Sequence, residues 1–326
     1  MKVLVTGASG MLGRCVAETL RDRGDLVTTF QRRPASIPGV KDRPGSLSEP
    51  GDVCRAVDGM DAVIHLAAKV SFAGSYEEFE NVNVRGTAHL LDAMRAIGVG
   101  KLVNISSPSV AHVGDSIVGE GTGPADPARA RGNYARSKAA AELLAMSADS
   151  DELKVVSIRP HVVWGPGDTQ LVGRIVDRGR RGTLPLLDRG HALIDTTYVT
   201  NAADAIIAAM DRIERVHGES FVVTNGQPRT VAEVLGGFCA AAGVPGPRLR
   251  LPSGAARWAG RVVERVWDKH PGADEPPMTE FLAEQLSTAH WFDQRRTRQR
   301  LSWTPRVSFE DGLDKLAAWY RSERMP

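Results

Sequence analysis

The sequence predicts an α/β protein, a doubly wound parallel sheet carrying a smaller C-terminal lobe. Three observations predict it. Residues 3–13 run from a short apolar strand through Gly7, Gly10 and Gly13 into a helix that begins with Met11 and Leu12. Apolar strand patterns then alternate with helical ones through the first half, the arrangement that builds parallel sheets. After Pro160 the alternation breaks down into Pro-Gly turns and further helices.

The glycine-punctuated turn is the most informative segment. Gly7 permits a tight turn, Gly10 lets backbone approach a pyrophosphate, and Gly13 lets the helix pack close to the strand. The helix, apolar at Val16 and Leu20, offers free N–H groups and a positive dipole end to phosphate. Strand, turn and helix in that order are the context a dinucleotide site needs.

The other elements follow in order. Residues 26–30 read as a second strand and 61–67 as a buried one. Residues 77–97 keep a helical period, with Val82, Leu90, Leu91 and Met94 on one side, and 102–105 and 155–158 are further strands. Residues 114–132, rich in Gly, Pro, Asp and Arg, read as a loop over the site, because ligands bind at the carboxyl ends of such strands. The expected main domain is 1–165 plus about 191–227, with 196–210 and 220–224 returning to the main sheet. The expected substrate-binding lobe is about 166–190 plus 228–326, broken by Pro245-Gly246-Pro247 and Glu275-Pro276-Pro277.

Composition narrows the function class. The chain has 326 residues, 42% hydrophobic and 25% charged, ordinary for a soluble globular protein. A formal net charge of +2 gives no field to recruit nucleic acid. Arg295, Arg296, Arg298 and Arg300 read as a solvated helix face. Cys15, Cys54 and Cys239 lack metal or redox spacing, so reduced thiols and no bound metal are expected. The N-terminus enters a strand directly, leaving no room for a signal peptide, and no apolar run approaches the ~18 residues of a spanning helix. A cytoplasmic protein is expected.

Tyr134 and Lys138, four apart, share one face of a helix. An ammonium beside a phenol favours phenolate and is expected to lower the tyrosine pKa. Such a phenol exchanges a proton with a carbinol or carbonyl oxygen. The pair opens a helix after a glycine-rich loop, downstream of Ser106-Ser107 at a strand end. A hydroxyl there can stabilise charge developing on a substrate oxygen.

Together these features resemble the short-chain dehydrogenase/reductase superfamily, whose turn reads T-G-x-x-G-x-x-G and whose catalytic residues are Ser, Tyr and Lys. Arg159-Pro160-His161-Val162-Val163-Trp164-Gly165-Pro166-Gly167-Asp168 and Asn83-Val84-Arg85-Gly86-Thr87 resemble the extended subgroup, with its Rossmann sheet and second lobe. The resemblance implies Ser107 as the catalytic serine, with Ser106 as the fallback. It implies that the cofactor meets Gly7, Ser9, Gly10, Met11 and Leu12, then Leu66, Ala67, Ala68, Asn83, Lys138 and Pro160. Asn83 supports the active-site helix, relays a water or is purely structural.

NAD-binding members usually carry an acid after the second strand to hold the ribose. This chain has Gln31-Arg32-Arg33 there. No carboxylate repels a 2′-phosphate, and Arg32 and Arg33 can bind it, so NADP(H) is expected over NAD(H). Gly45-Ser46-Leu47 departs from the Gly-Asp-Leu often found against adenine.

Asp195-Thr196-Thr197-Tyr198-Val199-Thr200-Asn201 resembles the D-x-T-Y-V-x-N pattern of the 3β-hydroxysteroid dehydrogenase/isomerase family. Sugar-nucleotide epimerases and dehydratases typically have an arginine and an aspartate where Leu193 and Asn201 stand, which argues against a diphosphate-bearing substrate. Ser107-Pro108-Ser109-Val110-Ala111-His112, Trp164-Gly165-Pro166-Gly167-Asp168 and Asp274-Glu275-Pro276-Pro277-Met278-Thr279 are most similar to bacterial 2-alkyl-3-oxoalkanoate reductases of olefin biosynthesis, and Trp303-Thr304-Pro305-Arg306-Val307-Ser308 fits too, a tail that occurs across extended members. That resemblance implies reduction of a β-keto acid with two long alkyl chains. Candidate substrate contacts are Ser109, His112, His161 and Trp164, either histidine positioning a carboxylate or serving structure alone.

Trp258, Val262, Val263, Val266 and Trp267 can share a helix face beside Arg257, Arg261 and Arg265. Such a helix lines an acyl tunnel, makes a peripheral membrane contact or simply packs on the lobe. A homodimer through paired long helices and association with pathway enzymes are implied by the resemblance alone. The competing readings are a steroid dehydrogenase using NAD, a nucleotide-sugar enzyme, and a non-enzymatic nucleotide sensor.

Overall fold

The computed structural model describes residues 1–71, 74–112, 114–269 and 280–323. Its main sheet has seven strands: β1 (Lys2–Thr6), β2 (Leu26–Gln31), β3 (Lys41–Pro44), β4 (Ala62–His65), β5 (Lys101–Ile105), β6 (Lys154–Pro160) and β7 (Ser220–Val223). They lie in the order β7-β6-β5-β4-β1-β2-β3, and every pairing is parallel. The chain reverses its winding between β1 and β4, which opens a ligand crevice at their carboxyl ends.

Alternation along β1 explains the two layers. Val3 and Val5 pack into one core with Val16 and Leu20 of helix α1 (Met11–Asp22) and Ile206 of the helix Val199–Asp211. Leu4 points the other way, into a core with Val53 of helix α2 (Pro50–Val57) and Leu90 of helix α3 (Gly86–Ile97). Side chains two apart share a face, and a sheet covered on both faces buries its apolar strands completely.

The structure departs from the sequence expectation at several elements. Strand β3 reads Lys-Asp-Arg-Pro and has no apolar signature because it is an edge strand, half open to solvent. The helical stretch 77–97 is interrupted by a π-helical segment, Glu80–Arg85, that pushes Asn83 inward. Residues 220–224 do return to the main sheet as β7. Thr197–Tyr198 does not; it pairs with Val163–Trp164 in a separate ribbon. The expected loop 114–132 contains a strand, Ile117–Glu120, that pairs in parallel with His290–Phe292 of the lobe.

The lobe core gathers Trp164, Phe238 and Phe309 under the helices Val172–Arg180, Val231–Ala241 and Phe309–Ser322. Near the C-terminus, Leu301 and Trp303 reach back into the core beneath the main sheet, although the sequence assigned them to the lobe. Among the described residues no helix is long and apolar enough to cross a membrane.

Candidate active site

The glycine turn sits where the sheet reverses. Gly7 adopts φ +79°, and a Cβ there would come within 2.8 Å of the Ala67 backbone. The turn therefore packs directly on the segment Leu66, Ala67, Ala68 that follows β4, each half-buried. Gly10 caps α1 with no side-chain hydrogen bond, and Ser9 and Gly10 are exposed. The first-turn N–H groups of α1 are thus left for an anion, which fits a dinucleotide pyrophosphate. Met11 and Leu12 are half-buried and pack toward the lobe core.

One buried hydrogen-bond chain fixes this turn. The Ala67 N–H donates to Thr6 Oγ1 at 3.0 Å, and Thr6 Oγ1 lies 2.8 Å from His65 Nδ1. His65 Nε2–H then faces Thr87 Oγ1 at 3.2 Å, and Thr87 donates to the Asn83 carbonyl at 2.6 Å. Burial first, and the charge of Lys138 second, press the His65 pKa down to about 3. A neutral imidazole in one tautomer is what this chain requires. The sequence signal was a histidine inside the apolar strand 61–67, and its role went unread.

Asn83 is fully engaged. Its Oδ1 accepts from the Lys69 N–H at 2.7 Å, and its Nδ2 donates to Ser137 Oγ at 2.9 Å. Ser137 lies on helix α4 (Gly132–Ser147), the helix carrying Tyr134 and Lys138. Asn83 thus ties the segment after β4 to the tyrosine helix, and its amide contacts protein groups on both sides.

Ser107, and not Ser106, meets the tyrosine. Ser109 Oγ donates to Ser107 Oγ at 2.9 Å, leaving the Ser107 proton for the Tyr134 phenol, to which it is hydrogen-bonded. Ser106 Oγ is buried without a partner among the described residues. Burial raises the Tyr134 pKa to about 12, and the Ser107 hydrogen bond opposes this only partly. The expected depression by Lys138 does not arise here. The lysine is itself buried and donates to the Ile105 carbonyl at 2.6 Å. Burial lowers its pKa to about 8, against the opposing pull of Glu142. At neutral pH the site therefore holds a protonated phenol beside a mostly charged ammonium.

Other expected contacts separate into several groups. Arg32 and Arg33 are exposed at the end of β2, with no hydrogen-bond or ion-pair partner among the described residues. Pro160 ends β6, buried. Trp164 is not a pocket wall. It has no exposed surface, donates to Thr196 Oγ1 at 2.9 Å and packs on Tyr198, Phe238 and Phe309. An aromatic near a strand end reads the same in sequence whether it lines a pocket or fills a core. His161 Nδ1 lies 2.5 Å from the Asp195 carbonyl oxygen. His112 is buried, and neither ring nitrogen has a partner among the described residues.

The Asp195–Asn201 motif is a clamp. Asp195 accepts from Thr224 Oγ1 at 2.7 Å and the Gln227 N–H at 3.1 Å. Asn201 donates to the carbonyls of Asn225 (side chain) and Val307 and accepts from the Arg306 and Val307 N–H groups. Asp195 fixes the segment after β7, and Asn201 ties that segment to 304–308, so both side chains are engaged within the protein. Asp52 accepts from the Ser46 N–H at 3.0 Å, so a carboxylate still shapes the turn where Gly-Asp-Leu was absent.

Of the expected amphipathic helix, Ser253–Lys269 is helical and Trp258 is exposed. The side chains of Arg261, Val262, Arg265, Val266 and Trp267, and the motif 274–279, lie outside the described residues.

Comparison with known proteins now decides the family. Residues 3–224 match the model of the NAD dependent epimerase/dehydratase family. The chain belongs to that family. As a member of it the protein is an NAD(P)-dependent oxidoreductase of the extended short-chain dehydrogenase/reductase type. A 2-alkyl-3-oxoalkanoate reductase of Stenotrophomonas maltophilia is 38% identical over 98% of this chain and 99% of its own length. A 3 beta-hydroxysteroid dehydrogenase/Delta 5-->4-isomerase of Mycobacterium tuberculosis is 28% identical over 98% and 90%. The solved structure of MoeE5 with UDP-glucose and NAD superposes with a TM-score of 0.77 at 23% identity, covering 99% of each chain. That likeness speaks for the family's fold.

Proposed function

We propose that this family member is an NADPH-dependent reductase that converts a long-chain 2-alkyl-3-oxoalkanoate to the 3-hydroxy acid. The observation that carries the chemistry is Ser107, which caps the turn after β5, hydrogen-bonded to the phenol of Tyr134 on α4, one helical turn from the buried Lys138. A protonated phenol is the form a ketone reduction consumes. Support for the substrate is the full-length similarity to the Stenotrophomonas maltophilia reductase.

When bound, a nicotinamide cofactor would supply the hydride for the ketone carbon. Ser107 orients the ketone by donating to its oxygen, and Tyr134 Oη gives that oxygen its proton. Charge developing on the oxygen is met by preset donors rather than by reorganising water. Lys138, one helical turn from Tyr134, would hold the nicotinamide ribose. Arg32 and Arg33, exposed and without a hydrogen-bond or ion-pair partner among the described residues, would take the 2′-phosphate.

The engaged amide of Asn201 and an exposed Leu193 support an apolar substrate over a sugar diphosphate. The test follows nicotinamide absorbance with a long-chain 2-alkyl-3-hydroxy acid and NADP⁺, and separately with a 3β-hydroxysteroid and NAD⁺. Turnover of the first alone is expected. Turnover of the steroid alone would overturn both the substrate and the cofactor assignment.

A further inference from the structure

We propose that His112, backed by His290 and His161, forms a subsite that holds the carboxylate of the substrate. The inference rests on the ketoreductase reading and adds a recognition element to it.

His112 is 3% exposed, and neither of its ring nitrogens has a hydrogen-bond partner among the described residues. Each of its neighbours has one nitrogen partnered within the protein. His161 Nδ1 faces the Asp195 carbonyl, and His290 Nε2 lies 3.0 Å from Thr288 Oγ1. A buried polar ring with nothing to bond is costly, and such groups cluster where a ligand completes them.

The place is right for a β-keto acid. His112 ends the short helical turn Pro108–Ala111 that Ser107 opens, and its N–H donates to the Ser109 carbonyl. One turn of chain therefore carries both the hydroxyl for the ketone oxygen and the free imidazole. In a β-keto acid the carboxyl and ketone carbons are separated by a single carbon, so the two groups must be received by adjacent side chains.

The surroundings favour an anion. The His112 ring sits 4.6 Å, edge-on, from His290, which lies 6.0 Å from His161. From the start of α4, Arg131 places its charge near His112, and from the loop after it Asp115 acts in the opposite sense. Arg131 is held by an ion pair to the buried Glu284 of the helix Glu280–Ser287. Burial keeps all three imidazoles below their ordinary pKa. An arriving carboxylate finds a neutral donor that can take up a proton. Among the described residues no group of three His, Cys, Asp or Glu side chains can hold a metal ion, so the cluster is not a metal site there.

The experiment measures kcat/KM with NADP⁺ for a 2-alkyl-3-hydroxyalkanoate and for its methyl ester, in the wild type, His112→Phe and His112→Gln. Melting temperature and NADPH binding check that each variant is folded. The wild type is expected to prefer the acid by about tenfold or more, the size of a charge-assisted hydrogen bond. His112→Phe should bring the acid-to-ester ratio to about one, and His112→Gln, which keeps a donor, should retain much of the preference. A wild-type ratio near one, or a ratio that His112→Phe leaves at the wild-type value, overturns the subsite while the ketoreductase reading stands. Turnover of neither compound by the wild type overturns both.

Discussion

Arg159 of β6 and Glu142 of α4 form an ion pair with 2% of either side chain exposed, 2.7 Å from Nη2 to Oε1. The arginine also donates to the Thr122 and Gly123 carbonyls, and Ser220 of β7 donates to the carboxylate. The pair locks the tyrosine helix to the sheet four residues beyond Lys138. It also explains why Lys138 stays largely charged despite burial, since Glu142 pulls its pKa upward.

Removing one partner leaves the other charge buried and alone. Arg159→Leu should therefore destabilise the fold by about 3–5 kcal/mol in chemical denaturation. A loss below about 1 kcal/mol would show that the pair adds little beyond packing.

The proposed NADPH preference rests on two exposed guanidiniums, Arg32 and Arg33. Arg32→Ala with Arg33→Ala should weaken NADPH binding about 10–100-fold and leave NADH binding nearly unchanged, measured by fluorescence titration. Equal weakening of both cofactors would remove the basis for the NADPH assignment.

Acid should unfold this protein early. His65, His161 and His290 are held to about 3, about 4 and about 2, below the ordinary 6.5, mainly by burial. A depressed histidine contributes stability above about 6.5 that is lost as the pH falls toward its folded value. At pH 5 each costs on the order of 2 kcal/mol. Asp195, raised by burial to about 6, acts oppositely, because its stability grows as the pH falls below 6. The net expectation is a loss of a few kcal/mol between pH 7.5 and 5, read from denaturation midpoints. A flat profile would mean that these imidazoles are not buried neutral.

Much of this site was legible because its signals are local. Gly7, Gly10 and Gly13 act within one turn, and Tyr134 and Lys138 are one helical turn apart. What the sequence concealed depends on distant partners. The resemblance offers Asn83 as a support of the tyrosine helix, but its partner there, Ser137, lies 54 residues away and is not marked in the sequence. His290 carries no local signal, because its meaning comes from His112 and from a strand at 117–120 that reads as loop. The lysine's effect on the tyrosine was read from spacing alone, whereas burial of both groups governs their protonation.

Tyr134→Phe tests the central claim most directly. The variant keeps the ring and removes only the phenol oxygen, so cofactor binding and melting temperature should stay near wild type. Turnover of the 2-alkyl-3-hydroxy acid with NADP⁺ should fall by about 10²–10⁴-fold or more. Turnover within a few-fold of wild type would contradict the assignment of Tyr134 as the proton donor.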